Sequence, residues 1–275
     1  MEGYSAFAVK RDICEIGRRM YAREFVAAND GNISVRVGPD RVIATPTLVS
    51  KGFMTPDMLV TVDMSGRVIE GGRKPSSELK LHLKVYRERE DVVAVVHAHP
   101  ATATGFAVAH EPLDKAYMPE LVVNLGSVPV AEYATPSTDE VPASIDRFVK
   151  NHNAVLLANH GVLTWGRDLF EAYFRLETIE SYAKILLAAR AAGEAKLVPC
   201  EKMASLIKIR ESMGIRGAVP SCRGSCPSEG AGACSCFSDG ASAAAPAAVG
   251  GAPSGAELER IIAQVTARVI ASLDK

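Results

Sequence analysis

The spacing of apolar side chains changes period several times along this chain, and each change predicts an element. From Ser5 to Arg23, Phe7, Val9, Ile13, Ile16 and Met20 recur near helical spacing, predicting an opening amphipathic helix. Ala28 to Asn32 is a turn cluster, after which Ile33-Ser34-Val35-Arg36-Val37 alternates strictly, as a half-buried strand does. Two further strands are expected over 41–45 and 59–64. Ser65-Gly66 and Gly71-Gly72 then flank residues 67–70 as hairpin-type turns, a signal of antiparallel pairing.

Lys74 to Glu78 opens the next helix, with a serine as its expected N-cap and Leu79, Leu83 and Tyr86 on one side. Glu78 thereby falls in the first turn. Val92 to Val96 is a continuous apolar run with β-branched bias, which predicts a buried strand running into His97-Ala98-His99-Pro100. Side chains two apart on a strand share a face, so His97 and His99 emerge side by side. A small-residue helix over 101–109, a loop from Tyr117 to the segment 128–131, and, after Ser137-Thr138-Asp139-Glu140, a helix to about Asn151 follow. Ala154 to Ala158 repeats the buried-strand pattern and again delivers a histidine, in Asn159-His160-Gly161. The long helical period from Asp168 to Ala192 carries one apolar stripe, including Tyr173, Leu176, Ile179, Tyr182 and Ile185, suited to core or subunit packing.

The patterning stops after Gly217. Between Ala218 and Ser254 the only charged residues are Arg223, Glu229 and Asp239, amid Gly, Ser, Ala and Pro. Such a stretch lacks the large apolar side chains that offset chain entropy. The expected organisation is a folded domain over 1–214, a flexible linker over 215–254, and a short amphipathic helix over 255–275. In that helix Leu258, Ile261, Ile262, Val265, Val269 and Leu273 form one stripe. A single helix of this length is marginal alone in water, so its stripe is expected to meet a partner surface, with docking on its own domain as the alternative.

Composition narrows the function classes. With 31 basic and 32 acidic residues the chain shows no electrostatic footprint for nucleic acid or an anionic membrane, leaving a small molecule as the expected partner. There is no signal-peptide pattern at the N-terminus and no apolar run of transmembrane length, so the expected location is the cytoplasm. Cys14 and Cys200 stand alone, whereas Cys222, Cys226, Cys234 and Cys236 crowd into the Gly/Ser/Ala-rich region. Their spacing matches no common zinc pair, and free thiols in a flexible tail are expected.

His97, His99 and His160, at the ends of two buried strands, together make a three-imidazole site with a fourth position open to water or substrate. Nitrogen ligands suit zinc or another late divalent metal, and Glu78 is placed to complete or share the site.

Gly31-Asn32-Ile33-Ser34, Thr45-Pro46-Thr47, Pro75-Ser76-Ser77-Glu78, His97-Ala98-His99 and Asn159-His160-Gly161 occur in the order and spacing of the class II aldolase/adducin family. Over about residues 5–190 the chain resembles that family, and most of all its L-fuculose-phosphate aldolase branch. The resemblance implies an α/β (α+β) fold with a central, mostly antiparallel sheet flanked by helices, and a homotetramer with active sites between subunits. It implies that His97, His99 and His160 bind one zinc ion per subunit and that Glu78 is both a metal ligand and the acid/base. Gly31, Asn32, Thr47, Ser76 and Ser77 would hold a substrate phosphate, and Tyr117, contributed by a neighbouring subunit, would serve as a second acid/base.

The implied reaction is cleavage of a ketose 1-phosphate, such as fuculose 1-phosphate, to dihydroxyacetone phosphate and a small aldehyde such as lactaldehyde. A pentulose-phosphate 4-epimerase is the alternative on the same fold, but that branch typically has aspartate where Glu78 stands. An adducin-like interaction protein would not need the three histidines. Two positions depart from the family: Leu48 stands where glycine is usual, and no tyrosine follows Tyr182. The linker and terminal helix resemble the encapsulation peptides that direct enzymes into bacterial microcompartments, which makes shell proteins an expected partner of residues 255–275.

Overall fold

Strict alternation at 33–37 produces a strand whose two faces meet different layers of helices. A computed structural model describes residues 5–135, 138 and 140–222 of the chain. Most of the expected linker, the helix expected over 255–275, and Cys226, Cys234 and Cys236 lie outside the described residues.

The described chain runs α1 (Ala6–Ala22), β1 (Asn32–Gly38), β2 (Arg41–Ala44), β3 (Val60–Val62), β4 (Val68–Glu70), α2 (Leu79–Glu88), β5 (Ala94–Ala98) and α3 (Ala101–Val108). It continues through β6 (Val130–Ala131), α4 (Glu140–Ser144), α5 (Asp146–Val149), β7 (Ala154–Leu157), β8 (Gly161–Gly166), α6 (Leu169–Ala192) and α7 (Cys200–Ser212). The strands form one sheet of order β4-β3-β2-β1-β5-β8-β7-β6. Every neighbouring pair is antiparallel except β6 with β7. This is the central, mostly antiparallel sheet flanked by helices that the family resemblance implies.

Period-two alternation sorts the strand residues between two cores. Ile33, Val35, Ala94, Val96, Leu156 and Val162 pack with Ile13, Phe106 and Leu176 under α1, α3 and α6. On the other side Val95, Val155, Leu163 and Trp165 pack with Leu81, Tyr86 and Val149. The two continuous apolar runs became β5 and β7 because each is an inner strand buried on both faces. No helix among the described residues is long and apolar enough to cross a membrane.

The structure differs from the sequence expectations at five places. β8 was not anticipated, because its glycine ends interrupt the apolar pattern. The helix expected up to Asn151 is two short segments, α4 and α5, although Val141, Ile145 and Val149 keep a four-residue stripe against the core. The N-cap of α2 is Glu78 rather than a serine; the Ser76 hydroxyl instead accepts from the Glu78 backbone N–H at 3.3 Å. α7, also not anticipated, packs Cys200 and Met203 against Ala116 and Val122, and its buried Arg210 donates to the carbonyls of Val122, Val123 and Leu125 in the single wide helical turn Leu121–Leu125.

The fifth difference lies beyond residue 214. Residues 215–222, assigned by composition to a linker, are hydrogen-bonded into the domain: Ala218 N–H donates to Asn151 O at 2.6 Å and Ala116 N–H to Ser221 O at 2.8 Å. Gly217 permits this with φ +113° and no Cβ to strike Asn151 and Asn153. Cys200 and Cys222 do not stand apart, since their sulfurs lie 3.3 Å from each other in a small buried cluster with Met203. A compositional reading sees few apolar side chains here and cannot see backbone hydrogen bonds.

Candidate metal centre

Antiparallel register brings the site together. β1 pairs with β5 so that Asn32 stands opposite His97, and β5 pairs with β8 so that Ala98 stands opposite Val162. The turn from β7 into β8 carries Asn159 in the left-handed region, φ 55°, and this reversal presents His160 beside the end of β5. Gly161 is required at that point, because a Cβ would lie 2.5 Å from His99 Cδ2 and 2.6 Å from Ala98 O.

The three imidazoles converge. Their ring centroids lie 4.8 to 5.1 Å apart, and one ligand atom from each lies within 4.8 Å of the others. His97 Nε2 is 3.0 Å from His99 Nε2. Tetrahedral zinc with Zn–N of about 2.1 Å would separate two ligand nitrogens by about 3.4 Å, so the cluster fits such an ion. His97 Nδ1 lies 2.9 Å from the carbonyl of Val162. Donation there fixes the tautomer and leaves the Nε2 lone pair directed at the centre. Asp30 Oδ2, 3.5 Å from His99 Nδ1, has the corresponding position for the second ring.

Glu78, at the start of α2, closes the fourth side. Its Oε1 lies 3.0 Å from His160 Nε2, and its Oε2 lies 3.4 Å from His97 Nε2 and accepts from the Asn32 amide at 2.6 Å. Burial opposes its ionisation, but the charge interaction with His97 and the hydrogen bonds from His160 and Asn32 prevail and hold the carboxyl well below the usual carboxylate range. Burial pushes His97 down to about 3 and lowers His99 as well. A carboxylate thus faces the imidazole nitrogens that would hold a metal ion, and burial works against charging His97 and His99.

α2 is fastened to β1 by a column of polar contacts below Glu78. His82 and Tyr86 follow Glu78 at four-residue steps, and both reach Ser34, two residues beyond Asn32 on β1. Ser34 Oγ is 2.7 Å from His82 Nδ1 and 2.8 Å from the Tyr86 hydroxyl, which also lies 2.9 Å from Ser34 O. His82 is buried, and burial pushes its imidazole down to about 4.

The residues expected to cradle phosphate also gather here. Thr47 N–H donates to Lys74 O at 3.0 Å and Ser76 N–H to Thr45 O at 3.2 Å, so the 45–47 and 74–77 loops run side by side at the start of α2. Gly31, at φ +71°, approaches Val26 and the carbonyl of His97 too closely for any Cβ. One Asn32 amide N–H is engaged by Glu78, leaving the other for a ligand. Leu48 also holds a left-handed backbone, φ 58°, and is 79% exposed.

Tyr117 is the expected site residue that this chain does not bring to the cluster. It packs against the core and interacts with Arg190 and Tyr182 of α6. Sequence reasoning missed Asp30 and the Ser34–His82–Tyr86 contacts, although the chain carried a signal for each. Asp30 sits within the noted turn cluster, Ser34 shares a strand face with Asn32, and His82 and Tyr86 share a helix face with Glu78.

Residues 11–187 match the family described as the class II aldolase and adducin N-terminal domain. An L-fuculose phosphate aldolase of Methanococcus maripaludis is 32% identical over 174 residues, covering 63% of this chain and 93% of that protein. A 3-oxo-tetronate 4-phosphate decarboxylase of Haemophilus influenzae is 33% identical over 183 residues, 65% of this chain and 86% of that protein. A 5-deoxy-D-ribulose 1-phosphate aldolase of Bacillus thuringiensis is 33% identical over 208 residues, 74% of this chain and 96% of that protein. Among solved structures, an L-fuculose 1-phosphate aldolase superposes with a TM-score of 0.68 at 34% identity, covering 73% of this chain and 94% of that one.

Proposed function

Because the chain belongs to the class II aldolase and adducin family, we propose that it is a zinc-dependent aldolase cleaving a ketose 1-phosphate of the L-fuculose 1-phosphate type. The products are dihydroxyacetone phosphate and a small aldehyde such as lactaldehyde. The observation that carries this reading is the convergence of three imidazoles on a buried carboxylate, beside two loops rich in hydroxyls and backbone amides.

His97, His99 and His160 would hold the ion, with Glu78 sharing it before substrate arrives. Once bound, it supplies Lewis-acid polarisation of the substrate carbonyl and the adjoining hydroxyl. Amides near Gly31 and at the start of α2, with the hydroxyls of Thr47, Ser76 and Ser77, hold the phosphate. In the condensation direction the Glu78 carboxylate takes a proton from the carbon beside the carbonyl. In cleavage it returns that proton, while the electron pair of the broken carbon–carbon bond stays with the triose fragment. The hydroxyl that becomes the aldehyde loses its proton to a second base, a role assigned to Tyr117 of a neighbouring subunit in a homotetramer.

The relatives named for decarboxylation and for 5-deoxyribulose 1-phosphate cleavage define the substrate panel. Metal analysis of the purified protein, followed by triose release from fuculose, rhamnulose, ribulose and 5-deoxyribulose 1-phosphates with and without chelator, tests the reading. Epimerisation of ribulose 5-phosphate, or carbon dioxide release from a 3-oxo-tetronate 4-phosphate, without triose formation would replace it. Residues 255–275 are proposed to carry the enzyme into a microcompartment, which would confine a reactive aldehyde product. Shell association undiminished by their deletion would rule that out.

A further inference from the structure

Lys51 is 1% exposed, among the most deeply buried large side chains of the described residues. It opens a short helical turn, Lys51–Phe53, pressed against α1 at Gly17, where any Cβ would overlap the Lys51 carbonyl oxygen. Its ammonium donates to Asn29 O and to Val49 O, each at 2.7 Å. Asn29 leads directly into Asp30, Gly31 and Asn32, and Val49 follows Thr47 and Leu48. One buried cation thus joins the two loops that supply Gly31, Asn32 and Thr47 of the phosphate cradle.

Among the described residues that cation has no carboxylate in ion-pair contact. Asp30 and Glu78 act on it only from a distance, and burial pushes its pKa down to about 8. An ammonium has three N–H donors, and the third has no hydrogen-bond partner among the described residues. Buried charges are ordinarily paired, and a binding site is the common place where the counter-charge arrives with the ligand.

We propose that Lys51 is a positioning residue for the substrate phosphate: it clamps the 29–32 loop to the 47–49 loop, and its unpaired charge is offset by the phosphate dianion. This rests on the reading of those loops as a phosphate cradle. Leu48, beside it, holds a left-handed backbone at φ 58°, so the clamp sets the shape of a loop whose backbone is already constrained.

The test uses the full chain, inorganic phosphate as the probe in calorimetric titration, and steady-state kinetics on the cleaved sugar phosphate. Lys51→Met keeps the buried stem and removes the charge; it should weaken phosphate binding and raise KM by about tenfold, with kcat changed much less. Condensation with unphosphorylated dihydroxyacetone should be nearly unaffected, which a merely structural defect would not spare. Ser77→Ala serves as the control on the cradle. If Ser77→Ala weakens phosphate and Lys51→Met does not, Lys51 has no such role and the cradle stands. If neither variant alters phosphate binding, both readings fall. Should Lys51→Met not fold, lysine-labelled native protein decides: saturating phosphate should move the titration of the most acidic lysine upward, and no movement at saturation overturns the proposal.

Discussion

The side-chain amide of Asn32 donates to Glu78 Oε2 at 2.6 Å, and the same asparagine stands opposite His97 across the β1–β5 ladder. One residue therefore aligns the carboxylate with the first imidazole. Replacement by alanine should leave the fold intact and reduce kcat/KM by one to two orders of magnitude, corresponding to the ~1–3 kcal/mol typical of a hydrogen bond to a charged group. Steady-state kinetics alongside metal analysis would show catalysis falling further than metal content.

Asp30 faces the outer nitrogen of His99 at 3.5 Å. Asp30→Asn removes the charge that favours the ligating tautomer, and metal affinity should drop by about 10- to 100-fold. His99→Ala, which deletes the ligand itself, should leave the purified protein with little metal. A chelator-competition titration distinguishes the two, and equal affinity of Asp30→Asn and the native protein would remove Asp30 from the site.

Leu48 holds φ 58° while 79% exposed. A left-handed backbone costs a non-glycine residue about 1–2 kcal/mol, partly offset by the greater chain entropy that glycine loses on folding. Leu48→Gly should therefore raise Tm by about 1–3 °C. Because the side chain adjoins Thr47, the same variant should change KM for the sugar phosphate more than kcat.

His82 is buried beside Ser34, with its pKa pushed down by burial to about 4 from an ordinary value of about 6.5. The unfolded chain takes up a proton that the folded chain refuses, so stability is fully present above pH ~6.5 and declines as pH falls toward 4. His82 alone should account for up to ~3 kcal/mol of that loss. Urea denaturation of metal-free protein between pH 7 and 4.5 would show it, and His82→Gln should flatten the pH dependence while lowering stability at pH 7.

Gly161 leaves room for the rings of His97 and His99. Gly161→Ala should displace those rings, with loss of metal and activity at little change in secondary structure. Near-native metal content in a folded Gly161→Ala protein would show that the turn adjusts.

Much of the site was legible in the chain because its residues follow local periodicities. The apolar run of 92–96 predicted a strand whose two-residue period put His97 and His99 on one face, the second apolar run delivered His160, and Glu78 fell at a helix start. These depend on side-chain geometry within one element, which spacing encodes. The sheet order, which sets β1 and β8 on either side of β5, is a matter of long-range register, and no local pattern carries it. Spacing alone therefore could not place Asn32 opposite His97, or Gly161 against His99.

Beyond the histidines, the limits of the sequence were those of backbone and burial. Residues 215–222 have the composition of a linker yet are held by main-chain hydrogen bonds that any sequence can make. No local pattern marks Lys51, and only the packing of α1 against its turn buries it between two loops. Amino-acid sequence by itself determined which chemical groups are present and which face of each element they occupy. Tertiary structure decided which of them meet, because burial and long-range register belong to the packed chain as a whole.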